Sequence, residues 1–123
     1  MVLADSSVWI AHLREGQPEL VDLLTKGLVC MHPFIQGELA CGNLKNRGSL
    51  LADLNALPKA QRVSDAEVMH LIEVRRLAGK GLGWVDVHLL AAALVSGCRF
   101  WTLDKRLDRA ASELALSYRY RGP

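Results

Sequence analysis

Four acidic residues stand at positions where their side chains could together hold a metal ion: Asp5, Glu38, Asp86 and Asp104. Asp5 and Asp104 each end a short apolar run and open a helical pattern. Glu38 and Asp86 lie within otherwise apolar helical patterns, where a buried carboxylate is costly unless something neutralises it. A hard cation such as Mg²⁺ or Mn²⁺ does so, because it prefers oxygen ligands. Several carboxylates around such an ion suit phosphodiester hydrolysis by a metal-activated water.

The opening seven residues give the strongest positional argument. They favour a short buried strand that ends at Asp5, with Ser6 or Ser7 as the N-cap of the next helix. Open α/β sheets bind ligands at the carboxyl ends of their central strands, so Asp5 is a candidate ligand-binding residue. The alternative is that Asp5 serves only as a helix cap, a position in which aspartate is common.

Short apolar strands alternate with helical segments along the chain, which predicts a parallel sheet covered by helices on both faces. The predicted strands are the opening segment and residues 28–31, 61–63, 98–103 and 117–120. The predicted helices include residues 18–26, 34–41, 44–57, 65–78, 86–96 and 105–116. We expect one three-layer α/β domain of about four or five parallel strands in the order 3-2-1-4-5. The order reverses between strands 1 and 4, where ligand sites form.

The composition is that of one globular domain spanning residues 1–123. Hydrophobic residues make up 50% of the chain and charged residues 23%, which excludes an intrinsically disordered protein. No apolar run approaches the roughly 20 residues that span a bilayer, and the N-terminus lacks the pattern of a signal peptide. We therefore expect a cytoplasmic protein with no membrane contact. The net charge of +2 neither establishes nor opposes binding to a polyanion.

Four sequence segments, taken in order and spacing, resemble PIN-domain ribonucleases, specifically the VapC-type toxins of bacterial toxin–antitoxin pairs. The resemblance covers essentially the whole chain. The matching segments are VLADSSVWI (2–10), GEL (37–39) with GNL (42–44), WVDVHLLAAA (84–93) and FWTLDKRL (100–107).

The resemblance implies a PIN-like fold and an Mg²⁺- or Mn²⁺-dependent endoribonuclease. It makes catalytic acids of Asp5, Glu38, Asp86 and Asp104, with Asp5, Asp86 and Asp104 as the metal ligands. It assigns Ser6 or Thr102 to polar support of these acids. It also implies an RNA substrate, a small antitoxin partner and a homodimer formed through the helices that contain residues 34–44 and 89–95.

Three cationic residues are candidates for contacts with the RNA backbone: Lys80, Lys105 and Arg106. Lys80 belongs to the glycine-rich segment GKGLG at residues 79–83. This segment follows a helical pattern and lacks the spacing of a phosphate-binding loop, so nucleotide binding is not expected. Its alternative interpretations are a lip of the substrate groove and an ordinary surface loop.

An antitoxin would need an apolar anchor, and Trp9 and Leu13 on the first predicted helix are the candidates for lining such a groove, together with Val8, Leu20 and Leu24. A cationic side chain of the antitoxin, placed among the four acids, would compete with the metal. Trp9 has the alternative interpretation of a core residue.

Other functional classes remain open at this stage. A phosphatase with an aspartate nucleophile would also begin with a strand-terminal acid, but it usually has a second acid two residues later, where this chain has Ser7. An RNA-processing PIN nuclease without an antitoxin would share all four acids. So would a catalytically silent binding module in which the acids hold a structural ion.

Overall fold

A three-stranded parallel sheet forms the centre of the molecule, and the computed structural model describes residues 1–120. The strands are β1 (Val2–Ala4), β2 (Val29–Cys30) and β3 (Arg99–Trp101), in the order β2-β1-β3. The first two are buried along their whole length. Continuous apolar runs of this kind are typical of parallel strands covered on both faces. Because β1 is the middle strand, the residue that follows it lies at the centre of the sheet's carboxyl edge.

Single bridging pairs extend the sheet by one position at each edge. Met31 pairs in parallel with Lys59 beside β2, and Phe100 pairs in parallel with Ser117 beside β3. The resulting order confirms the predicted 3-2-1-4-5 arrangement, although the two outer positions are single bridges and not full strands. The predicted edge strand at 61–63 lies too late in the chain, because the Gln61 N–H bonds instead to the Ser96 hydroxyl.

Seven helices flank the sheet within residues 1–120. They are α1 (Ser6–Glu15), α2 (Pro18–Thr25), α3 (Pro33–Ala40), α4 (Arg47–Ala56), α5 (Asp65–Val74), α6 (Trp84–Ser96) and α7 (Lys105–Glu113). None of these helices is long and apolar enough to cross a membrane. Gly97 ends α6 with a φ of 68°, a conformation that residues with a Cβ rarely adopt. Ser64 is the N-cap of α5, since its Oγ accepts the Glu67 N–H at 3.2 Å.

Several helix boundaries differ from the predicted ones; α7, for example, ends at Glu113 and not at residue 116. Backbone conformation explains two of the other differences. α4 begins at Arg47 and not at residue 44, because Asn46 has a φ of 51° and cannot continue a right-handed helix. α5 ends at Val74 and not near residue 78, since Arg76 has a φ of 53°. α6 begins two residues earlier than predicted, at Trp84.

The cysteines are free thiols, and two of them pack in the core. The sulfur atoms of Cys30 and Cys98 lie 3.3 Å apart. Cys30 belongs to β2 and Cys98 directly precedes β3, so the two residues flank β1. The sulfur atoms of a disulfide are about 2.05 Å apart, so this contact is packing between two free thiols and not a bridge.

Candidate active site

Asp5 directly follows β1 and is only 6% exposed. Its Oδ1 accepts the backbone N–H groups of Ser7 at 3.1 Å and Val8 at 3.4 Å, which makes Asp5 the N-cap of α1. The prediction that Ser6 or Ser7 caps this helix is wrong, because these are the first two residues of α1. Asp5 thus has the helix-cap role that the sequence allowed. It also has a second carboxylate oxygen that faces the neighbouring strand end.

Two hydroxyl groups complete the donors around Asp5. Ser7 Oγ donates to Oδ1 at 2.5 Å, and Thr102 Oγ1 donates to Oδ2 at 2.6 Å. Burial raises the pKa of Asp5 above its ordinary value of 3.8, and the hydrogen bonds from Ser7, Thr102 and Val8 act in the opposite direction. Burial has this effect because the charged carboxylate loses its hydration. A positive charge beside Asp5 would therefore stabilise the ionised form.

Asp104 is linked to Asp5 through Thr102. The Thr102 hydroxyl, which donates to Asp5, also accepts the Asp104 backbone N–H at 3.1 Å. The link forms because β1 and β3 are parallel neighbours, so the segments that follow them leave the sheet at the same edge. Asp104 is exposed and caps α7, accepting the N–H groups of Arg106 and Leu107. The two strand-terminal acids therefore lie at one edge, as the strand order predicts.

Glu38 reaches the same region from α3. Its Oε2 accepts a hydrogen bond from the Ser6 hydroxyl at 3.3 Å, and α1 and α3 pack together. Ser6 follows Asp5 directly, so this bond brings Glu38 to the N-terminus of the helix that Asp5 caps. Unlike Asp5, Glu38 is exposed. The predicted support of an acid by Ser6 applies to Glu38, whereas Thr102 supports Asp5.

Asp86 stands apart from the other acids in its hydrogen bonding. Its Oδ2 accepts the Gly83 backbone N–H at 3.0 Å, an interaction that closes the first turn of α6. The loop that precedes Gly83 contacts α7, since a Cβ built at Gly81 would lie 2.9 Å from the Arg106 side chain. This contact brings the N-terminus of α6 towards the N-terminus of α7, which Asp104 caps.

None of the four acids has an ion-pair partner within residues 1–120. The ion pairs of that part of the chain are Lys26–Asp22, Lys80–Glu113, His88–Asp65 and Arg119–Asp108. Within the same range, no three histidine, cysteine or acidic side chains come together as a metal-binding group. Hydrogen bonds thus bring Asp5, Glu38 and Asp104 near one edge of the sheet, whereas Asp86 bonds only within the first turn of α6. The four acids do not converge on a single point.

Comparisons with known proteins identify the family of this chain. A family model described as PIN domain matches residues 2–113, a range that contains all four acids. Ribonuclease VapC32 of Mycobacterium tuberculosis, from strains CDC 1551 / Oshkosh and ATCC 25618 / H37Rv, is 46% identical over 114 residues. The match covers 92% of this chain and 92% of each relative. The chain belongs to the PIN-domain family, in its VapC branch.

Ser7 is a site residue of this PIN domain that the sequence analysis missed. Its hydroxyl donates to Asp5 and accepts the Leu103 N–H at 3.0 Å, which ties α1 to the segment after β3. The available signal was the second hydroxyl of the Ser6–Ser7 pair. Because successive helix residues point about 100° apart, only one of the two can face Asp5, and the other faces Glu38.

The three predicted RNA-contacting cations differ in their surroundings. Lys80 Nζ is bound to Glu113 Oε2 at 2.6 Å. Lys105 and Arg106 are exposed on the first turn of α7 and have no ion-pair partner among the described residues. Lys80 is therefore partly neutralised, and Lys105 and Arg106 are the freer of the three.

The predicted antitoxin groove needs a correction. Trp9 is only 3% exposed and belongs to the main apolar core with Val8 and Leu20, so it does not line an open groove. Leu13 is 40% exposed and lines a different cavity, of about 370 Å³, between α1 and the chain after α3. The pattern of apolar residues on α1 could not reveal which of them the rest of the chain covers.

A buried histidine pair lies behind this end of the PIN domain. His32 caps α3 by accepting the Phe34 N–H through Nδ1 at 3.0 Å, and His88 on α6 lies 3.1 Å from Asp65 Oδ1 through Nε2. The Phe34 ring lies between the two imidazoles, 5.0 Å from His32 and 5.2 Å from His88. Both imidazoles are buried, with 0% of His32 and 1% of His88 exposed.

Proposed function

We propose that this PIN domain is a divalent-metal-dependent endoribonuclease and the toxin of a toxin–antitoxin pair. The observation that carries the proposal is uncompensated negative charge. Asp5, Glu38 and Asp104 lie near one edge of the sheet, and neither they nor Asp86 have a cationic partner among residues 1–120. Keeping Asp5 buried and ionised favours an added cation, because burial raises its pKa.

The donor atoms suit Mg²⁺ or Mn²⁺, since they are carboxylate oxygens with hydroxyl support and no sulfur or imidazole. Asp5, Asp86 and Asp104 would hold the ion, and Glu38 would complete the acidic set. A bound divalent ion lowers the pKa of a water and stabilises charge on phosphate oxygens. The chain's own contribution is orientation: Ser7 and Thr102 fix the Asp5 carboxylate, and both of its oxygens already have donors.

The proposed substrate is RNA, and the ribonuclease name of the VapC32 relatives supports this choice. The proposed compartment is the cytoplasm. The alternatives are an RNA-processing PIN nuclease without an antitoxin and a silent binding module with a structural ion. Cleavage of a generic RNA that stops on chelation would exclude the silent module. A missing antitoxin would favour the processing nuclease.

The decisive experiment replaces the buried acid. Asp5→Asn keeps an oxygen for the N–H groups of Ser7 and Val8 but removes the charge, so RNA cleavage in Mg²⁺ should be nearly abolished while the circular dichroism spectrum stays native. Asp53→Asn is the matched control, because Asp53 is an exposed acid on α4. Full activity of Asp5→Asn, or cleavage that survives EDTA, would refute the proposal.

The antitoxin that we propose enters the 370 Å³ cavity beside α1. Ile10 and Leu13 are 46% and 40% exposed there, and Glu38 lines the same cavity. These features suit an apolar segment that carries a cationic side chain, which would pair with Glu38 and oppose metal binding.

Co-purification with the product of an adjacent reading frame tests this partner. Leu13→Ser should weaken the complex, and Val21→Ser, an equally exposed apolar position on α2, should not. Equal affinity of the Leu13→Ser variant and the unchanged chain would place the partner elsewhere.

We also propose a homodimer. Val95 of α6 and Val74 of α5 are exposed by 50% and 59% and line an apolar groove of about 380 Å³. Covering such a surface would favour self-association. Sedimentation at micromolar concentration should give a dimer mass that Val95→Asp reduces to a monomer, and a monomeric unsubstituted chain would exclude the dimer.

A further inference from the structure

A groove of about 540 Å³ runs between the glycine-rich loop at residues 79–83 and one face of α7. Arg106 and Arg109 line its α7 side, and Lys80 and Glu113 close the opposite end. Lys80 Nζ and Glu113 Oε2 are 2.6 Å apart, so an ion pair holds the loop against the helix. One side of the groove is thus the loop, held by the Lys80–Glu113 ion pair, and the other side carries the two arginine side chains.

The groove carries a positive charge that the protein does not neutralise. Lys80, Arg106 and Arg109 contribute three positive charges and Glu113 one negative charge, which leaves two positive charges. Arg106 and Arg109 are exposed and have no ion-pair partner within residues 1–120. They are three residues apart on a helix, so their side chains lie on one face.

Gly81 keeps Arg106 in this groove. It has a φ of 76°, and a Cβ built on it would lie 2.9 Å from both Cδ and Nη1 of Arg106. The guanidinium therefore lies against bare backbone, where any larger residue would displace it. Gly79 has nearly the same φ, 75°, but a Cβ there would meet nothing within 4 Å.

Both walls of the groove are bonded to proposed metal-binding acids. The backbone N–H of Arg106 donates to Asp104 Oδ1 at 2.9 Å, and Gly83, at the end of the loop, donates to Asp86 Oδ2 at 3.0 Å. Asp104, one of the proposed metal ligands, is thus followed within the first two turns of α7 by the unpaired guanidinium groups of Arg106 and Arg109. Such groups bind phosphate oxygens through two parallel N–H bonds.

We propose that this groove binds the phosphodiester backbone of the substrate RNA on one side of the cleaved bond. Arg106 and Arg109 contact phosphates that neighbour the scissile one, and Gly81 positions Arg106 for this contact. The inference rests on the proposed ribonuclease function and adds the path of the strand. In this inference Lys80 holds the loop against α7 through Glu113 and does not bind RNA.

Binding of a short fluorescein-labelled single-stranded RNA in EDTA, at several salt concentrations, tests the groove separately from cleavage. Each lost phosphate contact on a single strand should make the slope of log K against log salt less negative by about 0.7. Arg106→Gln and Arg109→Gln should each produce this change, and the double variant twice the change. Arg75→Gln, an exposed arginine at the end of α5, is the control and should leave the slope unchanged.

A mutant cycle isolates the role of Gly81. Gly81→Ala should weaken RNA binding more than Gly79→Ala, because both add similar backbone strain and only the first displaces Arg106. In the Arg106→Gln background the two alanine variants should become equal. Equal effects of the two in the unsubstituted background would exclude the positioning role of Gly81.

The outcomes separate this inference from the proposed function. RNA cleavage that depends on Asp5, combined with an unchanged salt slope in both arginine variants, would overturn the groove and leave the nuclease intact. If the unsubstituted protein does not cleave RNA but both arginine variants have a less negative slope of log K against log salt, the result would support the groove and refute the nuclease function.

Discussion

Two buried polar clusters lie behind the same end of the sheet, and they are built in opposite ways. Around Asp5, both carboxylate oxygens accept hydrogen bonds, and the hydroxyls of Ser7 and Thr102 are themselves bonded to backbone N–H groups. In the histidine pair, His32 Nε2 and His88 Nδ1 are buried without a hydrogen-bond partner. In the first cluster every carboxylate oxygen has a hydrogen-bond donor, whereas in the second one nitrogen of each imidazole has no partner.

The bonding of each histidine explains the difference. His32 accepts the Phe34 N–H through Nδ1, so its proton is on Nε2. The His88 Nε2 donates its N–H to the Asp65 carboxylate at 3.1 Å, and its Nδ1 has no partner. The rings are held by aromatic packing, with Trp84 4.7 Å and Phe34 5.2 Å from His88. Hydrogen bonds therefore hold both oxygens of Asp5, whereas each histidine has one hydrogen bond and is otherwise held by aromatic packing. The two clusters should respond differently to proton binding and to substitution.

Acid should produce the largest difference. Burial, with smaller effects of His88 and Arg62, lowers the pKa of His32 from 6.5 to about 4. Between these values the unfolded chain binds the proton and the folded chain does not. The free energy of unfolding should therefore fall as the pH falls from 6.5 to about 4, by about 3 kcal/mol in total. Urea unfolding at a series of pH values measures this decrease.

His32→Asn tests the origin of the acid effect. Asparagine keeps an acceptor for the α3 cap and removes the titrating ring, so the stability difference between the two proteins should shrink as the pH falls. His70→Asn, at an exposed histidine of α5, is the control. An identical pH profile for His32→Asn and the unsubstituted chain would rule out His32 as the source.

Thr102→Val should have the next largest effect. It removes the hydroxyl that donates to Asp5 Oδ2 and accepts the Asp104 N–H, at nearly constant volume. Leaving a buried carboxylate oxygen unsatisfied costs about 1–3 kcal/mol of unfolding free energy. Thr25→Val is the comparison, because its exposed hydroxyl bonds only to the Val21 carbonyl of its own helix. Chemical denaturation that gives equal losses for both would contradict the satisfied-charge description of Asp5.

His88→Phe should change the stability much less. Phenylalanine retains the ring contacts with Phe34 and Trp84, removes the unpaired Nδ1 and loses only a bond to the exposed Asp65. We expect a change within about 1 kcal/mol, since replacing an unsatisfied polar group by an apolar one of similar shape is nearly neutral. A loss as large as that of Thr102→Val would show that His88 is satisfied in solution.

Ser6→Ala should have the smallest effect on stability. The bond from Ser6 to Glu38 is exposed and 3.3 Å long, so its loss should change the unfolding free energy by about 0.5 kcal/mol or less. If this bond orients Glu38 for the reaction, RNA cleavage should fall more than the stability does. The Ser6→Ala change should then add nothing in a Glu38→Gln background.

Local sequence signals predicted much of the fold. α5 begins at residue 65 and α6 ends at residue 96 as predicted, and the acids after β1 and β3 lie at one edge. These features depend on neighbours in the chain or on the rule that parallel strands share a carboxyl edge. The strand order was predictable because Asp5 and Asp104 each end a short apolar run and open a helical pattern.

Features that depend on long-range packing could not be predicted. The histidine pair joins residues 56 positions apart in the chain, and nothing near His32 or His88 signals the other. On α1, Val8 and Trp9 are buried while Leu13 is exposed, although all three are apolar. The spacing of apolar residues predicts the apolar face of a helix, but the tertiary fold decides which of those residues are covered.

The cysteine arrangement also makes this PIN domain convenient to label. Burial, with a contribution from Cys98, raises the pKa of the Cys30 thiol to about 12, so it stays protonated and unreactive. Cys41 is the exposed one of the three cysteines, three residues after Glu38 at the end of α3. A maleimide fluorophore would therefore attach at this one position without any substitution. It would report directly, by a change in emission, when a metal, an RNA strand or a protein partner arrives beside the acids.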